Sequence, residues 1–280
     1  MKKKVVLFIF IVLISAISFY TFNQIIPGIN LHKTILNALS GARGKYSVVV
    51  KDLKSEKGES LYGDKVYDIG SLYKLWVMAE VFEQIQNGTL SEDEVLSEDV
   101  RVLNQDFNID PESSELTGGT ITLTVKDALK QMITISHNYS ALLLTKRIKL
   151  SNVAKFLETN GFKDSSVGGS GDSPKSTADD IALFFEKLYK GELANTQYTK
   201  EMLDLLKAQT LNDKLPKYLP KGTVVAHKTG EIDYLSHDGG IVYTPKGDYI
   251  IVVLSESEFP SGAEDRIAQI SKSVFNYFAK

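Results

Sequence analysis

The sequence predicts an α/β fold of the α+β kind: an antiparallel sheet built from both chain ends with flanking helices, plus an all-helical subdomain between them. Three observations predict it. Strand-type runs lie toward the two ends, at Val48-Val49-Val50 and again at Val224–Lys228, Gly240–Tyr243 and Tyr249–Leu254. The middle of the chain instead carries apolar residues at helical spacing. Helical patterns also open and close the globular part, so terminal helices are available to cover a sheet.

In chain order, Lys2, Lys3 and Lys4 precede an apolar run from Val5 to Phe22, the pattern of a signal peptide or a retained membrane anchor. Phe19, Tyr20 and Phe22 continue the run past the small residues Ala16 and Ser18, which favours an anchor. The basic start then places the rest outside the cytoplasm. Residues 1–22 are therefore expected to tether an extracytoplasmic protein to the membrane, or to release it if cleaved, with 23–29 as linker around Pro27-Gly28. The domain proper is expected over 30–280, its α/β part about 30–70 and 215–280 and its helical part about 71–214.

Asn30–Ser40 reads as a helix with Leu31, Ile35, Leu36 and Leu39 on one face. Lys45–Leu53 reads as a strand, with short strand pieces at Leu61-Tyr62 and Val66-Tyr67 about Gly63-Asp64. A helix follows from Ser71 to Gln86, closed by Asn87-Gly88. Ser91–Gly119 is polar and aperiodic, after which helices are expected near 124–135, 138–149, 152–160 and 177–189. Thr124 and Ser151 are candidate N-caps, and Ser176 with Asp179 resembles a capping box. Lys246-Gly247 marks a hairpin between the last two strands, and Ala263–Phe278 closes the chain as a helix with Ile267, Ile270, Val274 and Phe278 on one face.

Composition narrows the chemistry. Of the 280 residues 43% are hydrophobic and 24% charged, with a net charge of −3 and no basic stripe, which argues against nucleic-acid binding. The chain has no cysteine, so disulfides, thiolate metal sites and a cysteine nucleophile are excluded. His32, His137, His227 and His237 show no ligand spacing, so neither a metal nor another cofactor is expected.

Three short motifs remain. Ser71-Leu72-Tyr73-Lys74 puts a hydroxyl at a helix start and an amine on the same face one turn on. Such a lysine becomes a base only if burial or a nearby cation lowers its pKa. Alone this pattern also suits a capping serine followed by a solvated lysine. Ser136-His137-Asn138 is a polar triplet between apolar helical runs, either a helix break or a group of cleft residues. Lys228-Thr229-Gly230 ends a strand and reads either as a plain turn or as a cationic edge for an anionic ligand.

In this order, with separations of 65 and 92 residues, the motifs resemble the signature of class A β-lactamases and penicillin-binding proteins, S-x-x-K, S-D-N and K-T-G. The resemblance spans about Lys45 to Phe278. It implies Ser71 as nucleophile toward a β-lactam or D-alanyl peptide and Lys74 as its base. It implies Ser136, helped by Lys228, as proton relay to the departing nitrogen, and Asn138 as a group that orients Lys74 and meets the substrate's side-chain amide. Lys228 and Thr229 would bind the substrate carboxylate, Gly230 would allow close approach, and the backbone N–H groups of Ser71 and Glu231 would form the oxyanion hole.

Two departures bear on turnover and binding. The loop Gly161–Thr177 lacks the deacylating glutamate of class A enzymes and offers only Asp172 near the expected place. Glu231 sets a carboxylate beside the anion site, which weakens binding there unless it points away. His137 also stands where the signature has aspartate. Three readings stay open: a β-lactamase, a D-alanyl-D-alanine carboxypeptidase or penicillin-binding protein with slow deacylation, and an anchored non-enzymatic binding module. A monomer acting on a small molecule is expected in each.

Overall fold

The computed structural model describes residues 31–168 and 172–279. The expected anchor and linker lie outside the described residues, and among the described residues no helix is long and apolar enough to cross a membrane.

A helix over 31–39 (α1) leads into β1 (Lys45–Asp52), β2 (Gly58–Leu61) and β3 (Val66–Asp68). Near the other end lie β7 (Val225–Ile232), β8 (Leu235–Val242), β9 (Tyr249–Glu256) and α9 (Pro260–Phe278). Strands from both regions form one antiparallel sheet in the order β2-β1-β9-β8-β7. The sequence of β9 explains why it is central. Tyr249, Ile251 and Val253 face a core shared with α1 and α9, while Ile250, Val252 and Leu254 face the core of the helical part. A strand buried on both faces reads as a continuous apolar run, because successive side chains alternate between faces. β7 lies at the opposite edge of the sheet from β2, and this edge receives the serine turn.

Between the two regions run α2 (Lys74–Gln86), β4 (Val95–Asp99), α3 (Val100–Asp106), β5 (Thr120–Thr124), α4 (Val125–Thr134), α5 (Asn138–Ile148), α6 (Leu150–Asn160), β6 (Lys175–Thr177), α7 (Ala178–Lys190) and α8 (Thr196–Lys207). α2 is buried nearly all round, with Leu75, Trp76, Met78 and Ala79 inaccessible, so the neighbouring helices pack about it. α7 lies against β1, β8 and β9 and joins the helical part to the sheet.

Several local expectations are corrected. The polar stretch 91–119 holds β4 and α3, and β4 pairs with β5 from Val95↔Thr124 to Asp99↔Thr120. α8 had no counterpart in the reading of the sequence. Ser151 caps nothing: Lys149, at φ 71°, separates α5 from α6 without a side-chain cap. The cap of α7 is Thr177, whose side chain accepts from the Asp180 amide, one residue beyond the expected box. Thr124 does cap α4, accepting from the Asp127 amide. Leu36 is exposed, and the helix expected from Ser71 begins as a 3₁₀ turn, Gly70–Tyr73. β7 continues past Gly230 to Ile232, and a two-residue turn at Asp233-Tyr234 leads into β8. Asp233 takes φ 49°, a left-handed conformation that aspartate tolerates better than most residues. β3 pairs with β6 and stands outside the main sheet.

Candidate active site

Two glycines set the backbone of the site. Gly70, at φ 48°, begins the 3₁₀ turn that carries Ser71, and a side-chain carbon there would come within 2.5 Å of the Glu231 carbonyl oxygen and 2.9 Å of its amide nitrogen. A carbon on Gly230 would come within 2.3 Å of the Ile69 carbonyl oxygen and 3.2 Å of the Leu72 nitrogen. Glycine at both places lets the serine turn and the edge of β7 meet backbone to backbone. The Ser71 and Glu231 segments are thereby neighbours, as a two-amide oxyanion hole requires.

The residue that follows this turn, Lys74, is fully buried as the first residue of α2. Its Nζ donates to the Ser136 carbonyl at 2.6 Å, to Ser136 Oγ at 3.2 Å and to Asn138 Oδ1 at 2.6 Å. These groups come from the break between α4 and α5. Ser136 holds φ 58°, unusual for a residue with a side chain, and His137 caps α5 by accepting the Ser140 amide at Nδ1. The left-handed serine turns both its carbonyl and its hydroxyl toward Lys74. Lys228, also fully buried, donates to the same Ser136 Oγ at 2.9 Å and to the Thr229 carbonyl at 2.9 Å.

Two amines thus converge on one hydroxyl in a dry setting. Burial, and next the charge of Lys228, hold Lys74 down to about 6. Burial also lowers Lys228 to about 7, with the nearby Asp238 carboxylate opposing the shift. A neutral Lys74 accepts a proton where an ordinary lysine cannot. With Lys74 neutral, Ser136 can donate to one amine while it accepts from the other.

Thr229 and Glu231 alternate with Lys228 and Gly230 along β7. Thr229 is buried opposite Asp238 of β8. The Glu231 carboxylate is held by Lys214, whose side chain is only 3% exposed against 56% for the glutamate. This pair neutralises the charge that would otherwise oppose an anionic ligand. The Lys214 segment is itself anchored: Leu215 N donates to Asp238 Oδ2 at 3.0 Å, and Asp238 Oδ1 lies 2.9 Å from His227 Nδ1. Nothing in the sequence marked Lys214, which sits in the featureless polar segment Asn212-Asp213-Lys214.

Asn138 has a second partner that sequence reasoning also missed. Its Nδ2 donates to Glu115 Oε1 at 2.6 Å. Glu115 belongs to the stretch read as aperiodic, so no periodicity or motif could have singled it out. Asp172 sits on the loop that precedes β6. It is exposed and lines a cavity of about 400 Å³ with Ser165, Val167, Ser173 and Lys175, none of them in the Lys74 cluster. Among the described residues no group of three or more metal-ligating side chains is present.

Comparison with known proteins finds relatives over most of the chain. The β-lactamase VEB-1 of Pseudomonas aeruginosa is 24% identical over 282 residues, covering 89% of this chain and 90% of VEB-1. Among solved structures, PBP-A superposes with a TM-score of 0.79 at 21% identity, covering 89% of this chain and 96% of PBP-A. A β-lactamase from Sphaerobacter thermophilus gives 0.78 at 20% identity, covering 89% and 97%. These structures share the fold. The model of the β-lactamase enzyme family matches residues 30–278, nearly the whole described molecule, and the chain belongs to that family.

Proposed function

We propose that the protein is a serine acyl-enzyme hydrolase of β-lactams, with Ser71 as nucleophile. The observation that carries this reading is the pair of buried, pKa-lowered lysines meeting at Ser136 Oγ beside the Ser71 turn. Neutral Lys74 takes the Ser71 proton as Oγ attacks the lactam carbonyl, and the Ser71 and Glu231 amides stabilise the oxyanion. The C–N bond breaks as Ser136 passes a proton to the lactam nitrogen and recovers one from Lys74, while the charged Lys228 helps by holding the Ser136 hydroxyl in place. Lys228 and Thr229 present the cationic, hydrogen-bonding end of the cleft to the substrate carboxylate. Water then adds to the acyl carbonyl, the ester C–O bond breaks as the water's proton passes to Ser71 Oγ, and the opened product leaves with the free serine restored.

A second reading, a penicillin-binding or D-alanyl carboxypeptidase-like protein with a long-lived adduct, draws support from one observation. The 161–177 loop contains no glutamate, and its carboxylate nearest the expected deacylating position, Asp172, is exposed. Intact mass after benzylpenicillin, on the protein and on Ser71→Ala, separates the readings. An adduct on Ser71 that clears with release of hydrolysed drug supports the hydrolase, whereas one that lasts for hours supports the second reading. An adduct that survives Ser71→Ala would overturn both.

A further inference from the structure

The contact between Asn138 and Glu115 leaves an anionic group beside the amide that holds Lys74. It is a built contact. Tyr139, the residue after Asn138 and almost fully buried, has its hydroxyl 2.8 Å from both the Leu116 carbonyl and Asn104 Oδ1, two acceptors for its one proton, and accepts from Leu116 N at 3.2 Å. Asn104 Nδ2 donates to the same Leu116 carbonyl at 2.8 Å. The residue next to Glu115 is therefore tied to the helix that carries Asn138, and the carboxylate is held over the Asn138 amide at 2.6 Å. The Glu115 charge also reaches Lys74 and His137, opposing the downward shift that burial imposes on each.

An amide nitrogen has two hydrogens, and here one is directed at Glu115. The other remains for a ligand carbonyl. Two acceptors on one nitrogen lie roughly 5 Å apart, so a substituent on the carbon next to that carbonyl falls within reach of the carboxylate. Resting on the acyl-enzyme reading above, we infer that Glu115 determines specificity: it forms a cation subsite that favours substrates with a protonated amine next to the acylamino carbonyl. A neutral substituent gains nothing there, and an anionic one is repelled.

Three penicillins with the same nucleus test this: ampicillin carries an α-ammonium group, benzylpenicillin no charge and carbenicillin an α-carboxylate. Acylation rates of Ser71 by each are measured on the protein and on Glu115→Gln, which keeps the acceptor for Asn138 and removes the charge. The readout is the ratio of rates between drugs, so a change in Lys74 basicity, common to all three, cancels. The wild-type preference for ampicillin over carbenicillin should fall about three- to fivefold or more in Glu115→Gln, the size expected of a partly exposed charge pair, and should reverse in Glu115→Lys. In wild type it should also shrink as salt is raised. The same ratio in wild type and both variants, with adducts forming normally, would overturn the subsite alone. Failure of every drug to label Ser71 would overturn the acyl-enzyme reading and the subsite with it.

Discussion

A lysine ammonium buried away from water is stable only if its charge is compensated, and Lys74 has Lys228 in the same cluster instead. In the proposed acyl-enzyme mechanism that neutral amine is the base for Ser71, and acylation requires Lys74 without its proton and Lys228 with one, to bind the substrate carboxylate. The rate should therefore rise with pH through about 6, where Lys74 titrates, and fall above about 7, where Lys228 does. Single-turnover acylation by benzylpenicillin across pH 4–9 would give this bell. In Lys228→Arg, whose guanidinium stays charged, the descending limb should vanish while the ascending limb remains. A descending limb that persists would remove Lys228 from the profile. The motif residues were legible at this scale because they carry chemistry in their types and order. Lys214 and Glu115 were not, since a charged residue in a polar segment acquires meaning only from what folds against it.

At the level of elements, the site is a junction of a 3₁₀ turn, a helix break and a sheet edge. The turn can meet β7 only because Gly70 adopts φ 48° and leaves no carbon against Glu231. Gly70→Ala should lower stability by about 1–2 kcal/mol from the left-handed backbone alone. It should slow acylation at least about tenfold by moving one oxyanion amide from the other. Thermal melting and adduct formation measure the two effects. An Ala variant that acylates at the wild-type rate would show that the two amides are not coupled through this contact. Helix positions were readable from apolar spacing for α2, α4 and α5. α8 also carries a helical spacing, at Tyr198, Met202, Leu205 and Leu206, and β5 alternates as Thr120-Ile121-Thr122-Leu123-Thr124, so the signals of these elements were present in the sequence but short. The pairing of β4 with β5 was not readable, because strand partners separated by a helix are set by packing rather than by either strand's own pattern.

The molecule as a whole is held by a sheet with a core on each face, and one buried histidine ties β3 to it. His237 of β8 donates through Nε2 to the Asp68 carbonyl at 2.9 Å and accepts the Ser255 amide at Nδ1 at 3.1 Å, which requires the neutral ring. Burial lowers its pKa from 6.5 to about 4. Above pH 6.5 the ring is neutral folded or unfolded, and its contribution to stability is fully present. As pH falls toward 4 the unfolded chain binds a proton that the native state refuses, so roughly 3 kcal/mol is lost across that window. His237→Gln, which can keep a donor and an acceptor, should flatten this part of the stability–pH curve in urea titrations; an unchanged slope would assign the acid sensitivity elsewhere. The sequence by itself determined the fold class, the places of β1, β7 to β9, α2, α4 to α7 and α9, and which serine and lysines were worth joining, because burial leaves a periodic trace and reactive side chains recur in a recognisable order. Only the tertiary structure decided that Lys74 and Lys228 share one hydroxyl, that Glu231 is neutralised by Lys214, and that Glu115 stands beside Asn138. Those pairings join residues from 17 to 92 positions apart, and proximity across such separations is set by packing, which no local pattern records.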